Sequence, residues 1–406
     1  MTTPLILADS PPAPDPRDGA PAAPADRFTL HGSPALERHL ASTCARVGAA
    51  VGACIPPLKL EAILLGGGYG RGEGGVLQTP TGDQPYNDLE FYVLARGNVW
   101  MNEAQYGRAL EALGAELAAE ARLHVEFKLT SLAKLERGPV SMFSYDLVTG
   151  HRWVVGAEPL LASCAHHRDA RRIPLAEATR LLLNRASGVL FAAERLRRAE
   201  FTPDDADFVG RNLAKLQLAL GDALLTVAGQ YHWSCQERHR RLRRLEPPGT
   251  APGWWREVER GHAAGVAFKL FPCRTTLERD ALQARLDALV TLSRQVWLWL
   301  EARRLDRPFP SVRDYVWSPG DKCPESEPFA NRLRNLRGFG VRSLGDSRAA
   351  RHPRERLFHS LSLLLWEPAL LNDPWSRSRL QYELRSAATD FTGLVRAYKA
   401  LWRRFN

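Results

Sequence analysis

Residues 66–75 read GGGYGRGEGG, and residues 87–93, a short excursion later, read NDLEFYV. The first stretch follows Ala62, Ile63, Leu64 and Leu65, an apolar run that reads as a buried strand. Seven of its ten positions are glycine. Side chains are therefore missing where the chain leaves the core, and backbone N–H groups are free to converge on a guest, usually a phosphate. A flexible loop is the plainer reading, but a linker needs neither a core strand before it nor Arg71 within it. Two other glycine motifs fit less well. A Walker-type loop needs Gly-Lys followed by Ser or Thr, which the chain lacks. Gly70, Gly72 and Gly75 match the dinucleotide fingerprint, with Glu90 about 20 residues on. That fingerprint must open a helix, whereas residues 76–87 carry two prolines and a Thr-Gly-Asp turn, which suit a hairpin.

In a strand over 88–94, alternate side chains point to opposite faces, so Leu89, Phe91 and Val93 are expected inside while Asp88 and Glu90 share the other face. Two carboxylates side by side repel unless a cation lies between them. A strand over 123–129 repeats the pattern, with Leu123, Val125, Phe127 and Leu129 apolar and His124, Glu126 and Lys128 polar. Glu126 is placed to complete a metal cage with Asp88 and Glu90. The plainer alternative is that all three acids line solvated faces of half-exposed strands.

Around these strands, Ser33 caps an expected helix whose face is Leu36, Leu40, Cys44, Val47 and Val51. A second helix is expected over 102–122, with Tyr106, Leu110, Leu113 and Leu117 on one face. From Pro174 onward the pattern is helical nearly throughout, with a Pro-rich linker at 246–253. The expected fold class is α+β: a mixed β-sheet with flanking helices, followed by a large all-α C-terminal region. The expected divisions are a disordered tail at 1–27, the α/β domain at 28–165, a helical domain at 166–245 and a C-terminal helical region at 246–406.

The combination Gly67-Gly68-Tyr69-Gly70-Arg71-Gly72-Glu73, Asn87-Asp88-Leu89-Glu90-Phe91 and His124-Val125-Glu126-Phe127 resembles the DNA polymerase beta-like nucleotidyltransferase superfamily, in particular its small bacterial members. The resemblance covers about residues 60–160. It implies a nucleotidyltransferase-type sheet that binds a nucleoside triphosphate, with Gly67, Gly68, Tyr69, Gly70 and Arg71 in the nucleotide-binding turn. It also implies two magnesium ions held by Asp88, Glu90 and Glu126, the catalytic acids, and transfer of a nucleoside monophosphate, AMP from ATP first, to a hydroxyl of a protein or small molecule. Two departures are visible. Gly68 stands where the family often has Ser, and the gap from Gly68 to Asp88 is longer than usual, which places an insertion near 78–84. In the helical half, Arg211, Lys215 and Asp222 fall on one helix face, and Lys215 is the expected further phosphate ligand. A non-catalytic nucleotide- or RNA-binding module on the same fold is the alternative.

Composition bounds the partners. A formal charge of +10 favours an anionic partner without choosing one, and with only seven Lys the Arg excess is spread along the whole chain. No RNA-binding motif is recognisable, so RNA is possible but not favoured. The six cysteines lack a CxxC pair, no apolar run approaches the ~20 residues that span a bilayer, and a cytoplasmic protein without membrane contact is expected. His232, Cys235 and His239 have a spacing zinc can use, but a fourth ligand would have to come from afar, and ordinary helix residues are the favoured reading. Trp233, Trp254, Trp255 and Trp317 line an acceptor cleft or serve as core.

Overall fold

A computed structural model of the chain describes residues 27–247 and 252–406. Nearly all of the expected tail, and the middle of the expected linker, lie outside the described residues. The fold is mixed α+β, a small sheet with helices followed by a helical body.

Helix α1 (Pro34–Cys54) starts as the sequence dictates: the Ser33 hydroxyl accepts from the Leu36 N–H, proline occupies the first turn, and Leu36, Leu40, Cys44, Val47 and Val51 are buried. Strand β1 (Leu60–Leu65) runs into α2 (Gly67–Gly70), a single helical turn. The expected excursion is a hairpin of β2 (Val76–Thr79) and β3 (Gly82–Pro85), which leads to β4 (Leu89–Ala95). Helix α3 (Val99–Ala121) then returns the chain to β5 (Val125–Thr130). Two short helices, α4 (Leu132–Arg137) and α5 (Met142–Thr149), precede the edge strand β6 (Arg152–Val155).

The sheet order is β5-β4-β1-β6, with β4 and β5 parallel and the other pairs antiparallel. Leu89, Phe91 and Val93 point into one apolar layer with Ile63 and Leu65 of β1 and the inner faces of α1 and α3. Tyr92 and Leu94 point into the other, with Ala62, Leu64, Leu135, Leu147 and Val148. Strand β4 is thus buried on both faces for most of its length, and only its first residues carry charge.

The helical body comprises α6 (Leu175–Leu196), α7 (Pro203–Val227), α8 (Cys235–Arg244), α9 (Trp255–Leu270), α10 (Arg279–Arg304), α11 (Val312–Trp317), α12 (Pro328–Phe339), α13 (Arg354–Leu361), α14 (Pro374–Leu384) and α15 (Phe391–Phe405). One apolar cluster runs from Ala178 on α6 to Leu401 on α15, across the division expected near residue 246. Trp254, Trp255 and Trp299 pack on one another in this body, and Trp317 lies at the surface beside Arg313. The four tryptophans singled out from sequence therefore do not form one wall. No helix among the described residues is long and apolar enough to cross a membrane.

Candidate functional site

The glycine-rich segment is shaped first by close packing. A Cβ on Gly70 would sit 2.1 Å from the Leu65 carbonyl oxygen, a hard backbone clash, and Gly67 has φ +63, which favours glycine. The segment satisfies most of its own N–H groups: Gly66 donates to the Glu90 carbonyl, Gly70 to Gly66, Glu73 to Gly68, Gly74 to Phe28, and Gly75 to the Asn87 side chain. Among the described residues, the N–H groups of Gly67, Gly68 and Tyr69, the first three of α2, have no acceptor. An unsatisfied trio at a helical turn is the anion-seeking arrangement expected from the sequence.

Two side chains assigned to nucleotide binding have other work. Tyr69 is fully buried, and its hydroxyl donates to the Gly75 carbonyl (2.9 Å) while accepting from the Tyr86 N–H (2.9 Å). It fastens the turn to the hairpin and can offer a ligand only its backbone. Replacing Tyr69 by Phe is expected to cost about 0.5–1.5 kcal/mol, because the Gly75 carbonyl and Tyr86 N–H lose the hydroxyl and keep only their own 3.3 Å hydrogen bond; urea unfolding measures this, and no change in the midpoint contradicts it. Arg71 is paired with Asp146 on α5 at 2.9 Å. It is held as a structural ion pair, not as a free phosphate ligand.

The carboxylates sit where the polar face of the sheet begins. Asp88 immediately precedes β4, Glu90 is on it, and Glu90 lies directly beside Glu126 in the parallel register of β4 and β5. A Cβ at Gly67 would be 3.7 Å from the Glu90 carboxyl carbon, so the turn and this acid touch. The Tyr92 hydroxyl donates to Glu90 Oε2 at 2.9 Å. Lys128 Nζ stands 3.2 Å from Glu126 Oε2 and 3.6 Å from Glu90 Oε2. Sequence reading placed Lys128 on this face without giving it the bridge. Among the described residues, Asp88 has its one ion-pair partner in His124, at 4.0 Å. No three His, Cys, Asp or Glu side chains among the described residues converge at metal-holding distance, so the acids form a pair plus an outlier instead of a closed cage. The side chains of Glu90, Glu126 and Lys128 are 35%, 42% and 41% exposed, so these ion pairs are hydrated and easily exchanged, each worth about 0–1 kcal/mol.

Cations from the helical body face this end of the sheet. Arg185 on α6 is half-buried and holds no ion pair among the described residues. Burial lowers its pKa, and the charges of Asp222, Glu90 and Tyr231 oppose that effect. Lys215 on α7 has its pKa lowered by desolvation and by neighbouring Arg185 and Arg211, while Asp88 pulls it up. The structure thus brings Lys215 towards Asp88 and adds Arg185, which lies in an amphipathic helix with no motif to mark it. Arg211 turns aside to Asp207 at 3.3 Å. Asp222 leaves the expected polar face altogether: α8 and α9 cover it, with Arg238 Nε at 3.0 Å and His262 Nε2 at 3.1 Å.

The zinc trio that the spacing allowed, against the favoured reading as ordinary helix residues, does not assemble among the described residues. Cys235 is buried with its N–H donating to Glu73 at 2.8 Å, and His239 Nδ1 faces His262 Nδ1 at 3.2 Å. His232 is buried and accepts from the Ser234 N–H. Burial, then Arg241, pushes the His232 pKa down to about 4. Unfolded, the ring takes its proton near 6.5, so between those values the unfolded chain binds the extra proton and stability falls as pH drops from about 6.5 to about 4. Loss of roughly 3 kcal/mol is expected from this group, and His232→Gln should flatten that part of a stability–pH curve.

Comparison with protein-family models, characterised proteins and solved structures finds no match.

Proposed function

We propose that the chain is a nucleotidyltransferase that moves a nucleoside monophosphate, AMP from ATP as the first candidate, to a hydroxyl of a protein or small-molecule acceptor. The observation that carries this reading is the contact between the turn with unsatisfied N–H groups at Gly67, Gly68 and Tyr69 and the Glu90–Glu126 pair. A phosphate-seeking turn beside paired acids, faced by Arg185 and Lys215, is the arrangement that phosphoryl chemistry requires.

In this reading the N–H trio receives phosphate oxygens. Arg185 and Lys215 offset the charge of the triphosphate from the opposite wall. The acceptor oxygen attacks the α-phosphorus, the bond to the bridging oxygen breaks, and pyrophosphate leaves. Glu126, hydrated and exchangeable with respect to Lys128, accepts the proton of the attacking hydroxyl. Asp88, Glu90 and Glu126 would hold magnesium once Asp88 turns in from His124 and Lys128 leaves the Glu90–Glu126 pair. Magnesium, when bound, supplies charge neutralisation on the phosphates.

The test is release of pyrophosphate from each of the four nucleoside triphosphates with magnesium and an extract as acceptor source. Arg185→Ala is expected to weaken ATP affinity by about 10- to 100-fold, the value of a charge-assisted hydrogen bond of roughly 1.5–3 kcal/mol. Equilibrium titration with a fluorescent ATP analogue reads this, and unchanged affinity removes Arg185 from the site. A second reading, a nucleotide-binding module without catalysis, is favoured by the Lys128 bridge between Glu90 and Glu126. Tight ATP binding with no pyrophosphate under any acceptor would establish it.

A further inference from the structure

Helices α7, α9 and α10 enclose a cavity of about 620 Å³, within the range of small-molecule sites. Its floor is apolar and buried, built from Leu213, Ala214, Leu220, Val258, Leu282 and Leu289. Charge is confined to its edge. Asp207 and Arg211 pair with each other there, which leaves Glu257 against Arg260 and Arg285. Both of these arginines are exposed, and neither holds an ion pair among the described residues. One end of the cavity adjoins the sheet: Phe268, on its wall, packs edge-on against Tyr86, two residues before Asp88.

Such a space is costly to leave as it is, because an apolar floor gains nothing from water and loses packing to a void. An apolar body with one anionic head satisfies both parts, the chain filling the floor and the head resting between the two free guanidinium groups. We propose that this cavity binds an amphipathic organic anion, a carboxylate on an elongated apolar body, independently of nucleotide. A cationic amphiphile of the same length places its charge against Arg260 and Arg285, and a neutral one leaves them unpaired, so the edge selects by sign.

The test uses the full chain and the fluorescent probe anilinonaphthalene sulfonate. The probe is expected to bind one site and to be displaced by decanoate at least tenfold more effectively than by decyltrimethylammonium, with decanol between them. Ala264→Trp and Ala288→Trp, at exposed cavity-lining positions on opposite walls, should each abolish probe binding without changing thermal unfolding. Arg260→Glu with Arg285→Glu should erase the preference for decanoate and spare decanol. Equal displacement by the three amphiphiles, or retention of the probe in both tryptophan variants, overturns the proposal. ATP binding measured in the same variants reads the nucleotide site separately, so failure here leaves that assignment untouched.

Discussion

Replacing Asp88 and Glu90 together by alanine is expected to lower pyrophosphate release from ATP by roughly 10³-fold or more, since removing one preorganised charge-stabilising group costs 10² to 10³ on its own. The fold should survive. The Asp88 side chain is 61% exposed and pairs with nothing closer than His124 at 4.0 Å, and Glu90 has hydrated partners apart from the Tyr92 hydroxyl. Surface changes of this kind usually stay within about 0.5 kcal/mol, and removal of two neighbouring negative charges relieves repulsion. The measurement is a pyrophosphate-coupled assay beside thermal unfolding of the same preparations. Release that persists in the double variant would show that these acids are not the catalytic groups, whereas loss of both release and folding would show that the carboxylates had a structural duty. Glu126→Gln supplies the third point: with the proton acceptor removed but Asp88 and Glu90 unchanged, ATP affinity should hold while turnover falls.

The sheet and the position of its acids were readable because both depend on short-range alternation. Leu89, Phe91 and Val93 against Asp88 and Glu90 allow one register, and a one-residue slip would bury the acids. The hairpin at 76–87 was readable from its prolines and Thr-Gly-Asp turn for the same local reason. What residue spacing does not carry is which side chains other segments claim. Tyr69 looked like a ligand because it lies among glycines, yet Tyr86 and Gly75 take its hydroxyl. Arg71 looked like a phosphate ligand until Asp146, 75 positions along the chain, became its partner. Asp222 sits at i+11 from Arg211 and so shares its helical face in projection, but Arg238 of α8 and His262 of α9 close over Asp222 while Arg211 lines an open cavity, and burial divides the face. Arg185 offered no signal, since a lone arginine in an amphipathic helix is ordinary until the sheet is docked opposite it. The end of the chain carries the same lesson. Within the region that reads as helical nearly throughout, residues 376–404 are not one helix: Arg385 adopts a left-handed conformation with φ 51 and a new cap at Asp390 starts α15.

The docking of sheet and helical body rests on a continuous buried chain of polar groups, and Arg238→Met is expected to break it at a cost of about 3–5 kcal/mol, the penalty for leaving a buried charge without its partner. From the glycine turn, Arg71 pairs with Asp146; the Tyr231 hydroxyl donates to Asp146 at 3.3 Å and accepts from Arg238 Nη1 at 2.6 Å; and Arg238 Nε meets Asp222 at 3.0 Å. Arg238 and Asp222 are 3% and 4% exposed, so water cannot replace the lost guanidinium. Burial by itself raises the Asp222 pKa, and Arg238 with His262 more than offsets it, holding the carboxyl below the ordinary carboxylate value. Without Arg238 that support falls to His262 and the more distant charge of Lys269. Part of the stability that Asp222 contributes above its unfolded pKa should then disappear even at neutral pH. A companion variant separates charge from packing. Arg238→Met with Asp222→Leu removes both partners, and replacement of a buried ion pair by apolar groups is often neutral or stabilising, so at least half of the loss should return. Urea midpoints for the two variants decide the matter: a single substitution costing under 1 kcal/mol, or a double variant no better than the single, would mean that the sheet and helices are held by apolar contact and not by this chain of charges. Arg71 stays paired with Asp146 in both variants, so the glycine turn should keep its place and ATP binding should change far less than stability does.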